Sequence, residues 1–159
     1  MSKDGSIPIS YRKRARDLLV QALYQWHMAG AEADQIEAEF RADNGRKTDW
    51  DFFHAALTAI TGNPLALDKH YTVYLDRQAG QLDPIETGIL RLGVFELVHR
   101  IEVPYRVVIN EAVELTKKYG ATDSHKYINS VLDKAARELR KVEWQRGAQR
   151  TWDFPNSTS

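Results

Sequence analysis

The chain carries few side chains arranged for covalent chemistry. Its five histidines, His27, His54, His70, His99 and His125, are scattered, and none falls in an HExxH pattern. There is no cysteine. That removes disulfides, thiol catalysis and Cys/His zinc ligation, and no metal site is expected. No serine sits in a GxSxG elbow, and no glycine-rich loop could cradle a phosphate. Most carboxylates fall at helix starts or on polar faces, where free N–H groups and the helix dipole suit them. Glu96, Asn110 and Glu111 are different, because they interrupt strongly apolar stretches. A buried carboxylate without a partner is costly. These residues read as a structural network with Arg91, Arg100 or a helix terminus, or else as a catalytic acid. Taken together, the residues point away from an enzyme, and no cofactor is expected.

Binding chemistry is better represented. Arg12, Lys13, Arg14 and Arg16 place four cations in five positions. They suit phosphate contacts, or else form no more than a solubilising chain end. Lys+Arg and Asp+Glu are both 22, so the formal net charge is zero, which argues against bulk, non-specific nucleic-acid binding but leaves room for a local basic patch. A second candidate lies at Gly120–Lys126, a loop running into a helix N-terminus, where free N–H groups can face a phosphate. Lys126 adds charge there, and Tyr127 offers a stacking face to an unpaired base. The alternative is a plain helix cap.

The elements that must position these groups are helices. Ala15, Leu18, Leu19, Ala22, Leu23 and Trp26 form one stripe of period 3.6. Val20, Tyr24 and Met28 lie roughly opposite that stripe. They read as a partner surface beside the arginines, or as a strip covered by another helix. A short helix follows around Ile36 and Phe40 and breaks at Asn44-Gly45. Thr48 is the predicted N-cap of a third helix carrying Phe53, Ala56, Leu57 and Ile60. Asn63-Pro64 opens a fourth, carried by Leu67, Tyr71, Tyr74 and Leu75 and ended by Gly80. Asp83-Pro84, with Glu86 at N3, opens a fifth that is apolar nearly all round, as the centre of a bundle requires. Pro104 starts the sixth. Asp123 or Ser124 caps the seventh, which carries Ile128, Val131, Leu132, Ala135 and Leu139. The expectation is therefore an all-α domain of about seven helices over residues 11–144. Residues 1–10 are read as a flexible start and 145–159 as a disordered tail. No apolar run approaches the ~18 residues of a membrane span, and no apolar signal core opens the chain. A cytoplasmic protein is expected.

Three blocks carry a family resemblance. KRARDLLVQALYQW (Lys13–Trp26), LDPIETGILRLGVFEL (Leu82–Leu97) and PYRVVINEAVELTKKYGATDSHKYINSVLDKAA (Pro104–Ala136) resemble, in this order and spacing, the NusB family of bacterial transcription antitermination factors. The resemblance implies an all-helical fold of two small packed bundles and no catalysis. It implies partnership with NusE, a small-subunit ribosomal protein, and binding of boxA RNA within the RNA polymerase antitermination complex that supports ribosomal RNA transcription. It implies an RNA site at Arg12, Lys13, Arg14 and Arg16 together with Asp123, Ser124, Lys126 and Tyr127. Tyr24 and Glu86, with Val20 beside them, are the implied NusE face. Some NusB-like proteins are dimers, and a homodimer could cover the RNA surface. Where the family reads FVNG, this chain has Tyr127-Ile128-Asn129-Ser130, so the aromatic is kept and the glycine is not. A NusB-like domain serving an RNA methyltransferase is the enzymatic rival and would require a glycine-rich cofactor loop. A protein-only adaptor is the other.

Overall fold

The computed structural model describes residues 6–76 and 81–152. Its described elements are helical: α1 (Ile9–Ala29), α2 (Ala33–Asp43), α3 (Trp50–Gly62), α4 (Pro64–Asp68), a 3-10 turn (Thr72–Tyr74), α5 (Pro84–His99), α6 (Tyr105–Tyr119), α7 (Ser124–Leu139) and α8 (Lys141–Trp152). Helices α1, α2 and α3 pack on one another, as do α5, α6 and α7. Helix α5 touches both groups, and α1 also reaches α6. The apolar side chains form one continuous core across both bundles, and Leu90, Leu92, Val94 and Leu97 of α5 are buried within it. A helix shared by two bundles has no free face, which explains its all-round apolar sequence.

The caps account for where these helices begin. Asp83 accepts from the Glu86 N–H while Glu86 accepts from the Asp83 N–H, a reciprocal capping box with Pro84 at the first turn. Asn63 accepts from the Ala66 N–H ahead of Pro64. The cap of α3 is Asp49 rather than the predicted Thr48. One Asp49 oxygen accepts from the Phe52 N–H, and the other meets Arg12 Nε at 3.2 Å. This buried carboxylate thus ties the start of α3 to the start of α1. Gly30 closes α1 at φ +67°, a left-handed conformation that glycine adopts without steric cost. Gly93 lets α5 and α7 approach closely, because a Cβ there would lie 3.0 Å from Leu132 Cδ1.

Three expectations change at the boundaries. The fourth segment is not one long helix: α4 stops at Asp68, and the 3-10 turn covers Tyr74. Tyr71 between them is fully buried and donates to Asp68, which also takes a paired contact from Arg91. Gly80, the expected stop, lies outside the described residues. The helical domain starts at Ile9 rather than at residue 11. The chain is also helical past residue 144, since α8 continues to Trp152; the rest of the expected tail lies outside the described residues.

Helix α8 is seated by Arg140, a buried residue at the α7–α8 junction. Its guanidinium donates to the carbonyls of Glu96, Leu97, Arg100 and Val103, which include the free carbonyls at the end of α5. It also meets Glu143 at 2.6 Å, and Glu143 accepts from the Tyr105 N–H at the start of α6. Arg140 and Glu143 together therefore join α5, α6 and α8.

Candidate nucleic-acid and partner interface

The four cations of α1 do not share one environment. Arg16 is 4% exposed and forms a paired contact with Glu96 of α5, both N–O distances being 2.8 Å. Burial by itself pushes its guanidinium pKa down. The Glu96 hydrogen bond and charge, with Glu111 and Asp49 nearby, outweigh that and raise it. Arg16 is thus committed to the core, which corrects its assignment to an exposed cluster. The network expected for Glu96 exists, but its cation is Arg16 rather than Arg91 or Arg100. Arg91 instead serves Asp68. Asn110 is exposed.

The other three cations remain at the surface. Arg12 lies over the Phe52 ring at 4.8 Å, between Asp49 and Glu102. Lys13 reaches Glu111 of α6 at 3.3 Å. Arg14 donates to the neutral Asn44 amide at 2.9 Å, so that contact leaves its positive charge uncompensated. A groove of about 450 Å³ separates α1 from α6, with Lys13, Arg14 and Lys118 interleaved with Asp17, Glu111 and Glu114. Lys118 meets Asp17 at 2.7 Å, and that hydrogen bond raises the Lys118 pKa. Tyr119 also donates to Asp17; burial first, and then this bond, raise its pKa. Sequence reasoning missed Lys118. The signal was the spacing Glu111, Lys118, two turns apart on one face of α6.

The second candidate cluster opens α7. Asp123 occupies the N-cap position at φ +69°, a left-handed conformation that aspartate tolerates better than most residues. Its side chain accepts no capping bond, contrary to expectation. It lies 3.9 Å from Lys126 Nζ, and both side chains are exposed. Ser124 is half-buried as the first helical residue. Tyr127 is half-buried, and its hydroxyl accepts from the Asp76 N–H at 3.2 Å. Helix α6 stands between the two clusters: it shares one groove with α1 and another with α7.

The candidate partner face is also revised. Tyr24 is 41% exposed and Met28 59%, but Val20 is 1% exposed. Helix α1 is flanked by α2, α3, α5 and α6, so residues well away from its main stripe are covered as well. Glu86 is 5% exposed, with its carboxylate engaged in the α5 capping box. Tyr24 and Met28 are what remains of the predicted strip at the surface. Among the described residues, no group of three or more His, Cys, Asp or Glu is placed to hold a metal ion. No described helix is long and apolar enough to cross a membrane.

Comparison with known proteins places this geometry in context. The NusB family model matches residues 13–137. The transcription antitermination protein NusB of Hahella chejuensis is 53% identical over 133 residues, covering 83% of this chain and 89% of that protein. Its namesake from Alcanivorax borkumensis is 52% identical over 135 residues, covering 84% and 90%. A solved NusB structure from T. maritima superimposes with a TM-score of 0.74 at 28% identity, covering 84% of this chain and 96% of that one.

Proposed function

The chain belongs to the NusB family, and from that premise we propose that it is a transcription antitermination factor that binds boxA RNA jointly with NusE. It acts as a regulator within the RNA polymerase complex in the cytoplasm, not as an enzyme. The observation that carries this reading is the span of the family match, which takes in Lys13, Arg14 and Arg16 of α1 and the α6–α7 corner.

The division of labour follows from the side chains. Arg12, Lys13, Arg14 and Lys126 neutralise phosphates, contacts that fix position without reading sequence. Tyr127, with Asp123, Ser124 and exposed Asn129, favours unpaired bases. Because Lys13 and Arg12 already face carboxylates, RNA must displace internal ion pairs, which suits moderate affinity strengthened by a protein partner. Tyr24 is the aromatic anchor for NusE, a residue type enriched among those that dominate interfaces. Glu86 contributes by fixing the start of α5.

A gel shift with a boxA-like RNA, with and without NusE, tests the reading. A retarded complex that strengthens with NusE and fails with scrambled RNA is expected. Equal binding of both RNAs, or none in either condition, overturns it.

A further inference from the structure

We propose that helix α8 adds a single-stranded RNA subsite to this protein, in which nucleotides flanking the boxA element run along the groove between α6 and α7 and stack on Trp144. The inference rests on the RNA-binding function proposed above and extends it to a part of the chain beyond the 13–137 family match. The groove has a volume of about 650 Å³, within the range of roughly 300–1,000 Å³ that takes a drug-sized ligand. One wall is a stripe of α6, Arg106 and Asn110, one turn apart; the other is Lys126, Asn129 and Asp133 of α7. Trp144 of α8 closes the end nearest the start of α6.

Charge and continuity identify the occupant. Arg106 and Lys126 sit at opposite ends and outnumber the one acidic wall residue, Asp133. Asp133 is itself paired with Arg137 at 3.2 Å, as Lys126 is, more loosely, with the exposed Asp123 at 3.9 Å. Asn110 and Asn129, both exposed, offer donors and acceptors to base edges between the two cations. Lys126 already belongs to the proposed boxA surface, so a strand leaving that surface enters the groove at Lys126 and moves toward Arg106. The nine residues from His125 to Asp133 span about 12 Å at 1.5 Å per helical step. That holds roughly two to four nucleotides, taking about 3.4 Å per stacked unit as the lower limit.

Trp144 is suited to stacking because it is held in place without being enclosed. It is half-buried, the Arg137 guanidinium lies 5.0 Å from its ring, and its backbone N–H donates to Arg140, the residue that anchors α8 to α5. Arg106 stays at the rim, over the Tyr105 ring at 5.6 Å.

The test uses the full chain with saturating NusE and fluorescence anisotropy on three RNAs: a minimal boxA-like RNA, and the same RNA extended by about four nucleotides on either side. An extension on one side is expected to tighten binding by the wild-type chain. Trp144→Ala should abolish that gain, a loss of roughly 5- to 100-fold, while the minimal RNA binds as before. Trp144→Phe should retain most of it. Arg106→Gln, which leaves the core untouched, should lower the log–log salt slope for the extended RNA by about 0.7 and leave the minimal RNA's slope alone. No gain from either extension, or a gain that survives both Trp144→Ala and Arg106→Gln, overturns the subsite while leaving the boxA function standing. Failure of the wild-type chain to bind the minimal RNA overturns both. Weakened NusE binding by Trp144→Ala without RNA would assign the groove to protein and overturn the proposal as well.

Discussion

Replacing Arg16 by alanine should damage the fold rather than the RNA surface. Its guanidinium makes two 2.8 Å contacts with Glu96, and both side chains are almost wholly buried. It also lies 5.7 Å from the Phe52 ring centre. Removing it leaves a buried carboxylate facing a cavity, a situation that costs about 3–5 kcal/mol. For a chain of this size each kcal/mol shifts the melting temperature by about 2–4 °C, so Arg16→Ala should melt roughly 6–20 °C lower. The double variant Arg16→Met, Glu96→Met should recover most of that loss, because it removes both buried charges and keeps the volume. The comparison is Arg14→Ala, whose side chain is exposed and donates to the neutral Asn44 amide. Its stability should stay within about 0.5 kcal/mol of the parent. Its RNA affinity should instead fall with a salt slope flatter by about 0.7. Calorimetric melting of the four proteins, with salt titrations of RNA binding at a temperature where all are folded, separates the two roles. If Arg16→Ala keeps its stability within about 1 kcal/mol and flattens the salt slope as Arg14→Ala does, the buried-pair reasoning is wrong.

Other expectations follow from the same geometry. Leu92→Ala, deep in α5, should cost about 2–5 kcal/mol in urea unfolding, through lost methylenes and the cavity left behind; a smaller cost would mean that α5 is not the shared core. Tyr24→Ala should weaken NusE binding by calorimetry at little cost in melting temperature, since the side chain is 41% exposed and outside the buried core; unchanged affinity would remove Tyr24 from the partner face. Tyr127→Ala should narrow the preference for boxA-like over scrambled RNA, while Tyr127→Phe keeps it, because the ring rather than the hydroxyl meets the base. Arg140→Lys should lower stability by at least about 3 kcal/mol, because an ammonium cannot satisfy four carbonyls from one position; hydrogen exchange should show α8 loosened first.

What the sequence determined alone was local. Asn63-Pro64 and Asp83-Pro84-Ile85-Glu86 announce helix starts because a cap and a proline at the first turn, joined in the second case by a returning carboxylate, all act within four residues. The apolar run of α5 places Leu92 and Leu97 in the core because no solvated face can be drawn on it. The three family blocks were legible for the same reason, each being a short contiguous pattern. What needed the tertiary structure was everything set by which helices are neighbours. Arg16 looks like its neighbours Arg14 and Lys13 in sequence, yet it turns inward to Glu96, 80 residues away. Val20 falls off the main stripe but is covered, because α1 has helices on several sides instead of one. Asp49 rather than Thr48 caps α3, because its second oxygen is claimed by Arg12 from another helix. Arg140 makes a helix of what reads as the edge of a polar tail, because the carbonyls it satisfies come from the end of α5 and the turn that follows it, about 40 residues earlier in the chain. Periodicity measures how residues share one helix. The partners of a buried charge, and the walls of a groove, are decided only when separate helices are brought side by side.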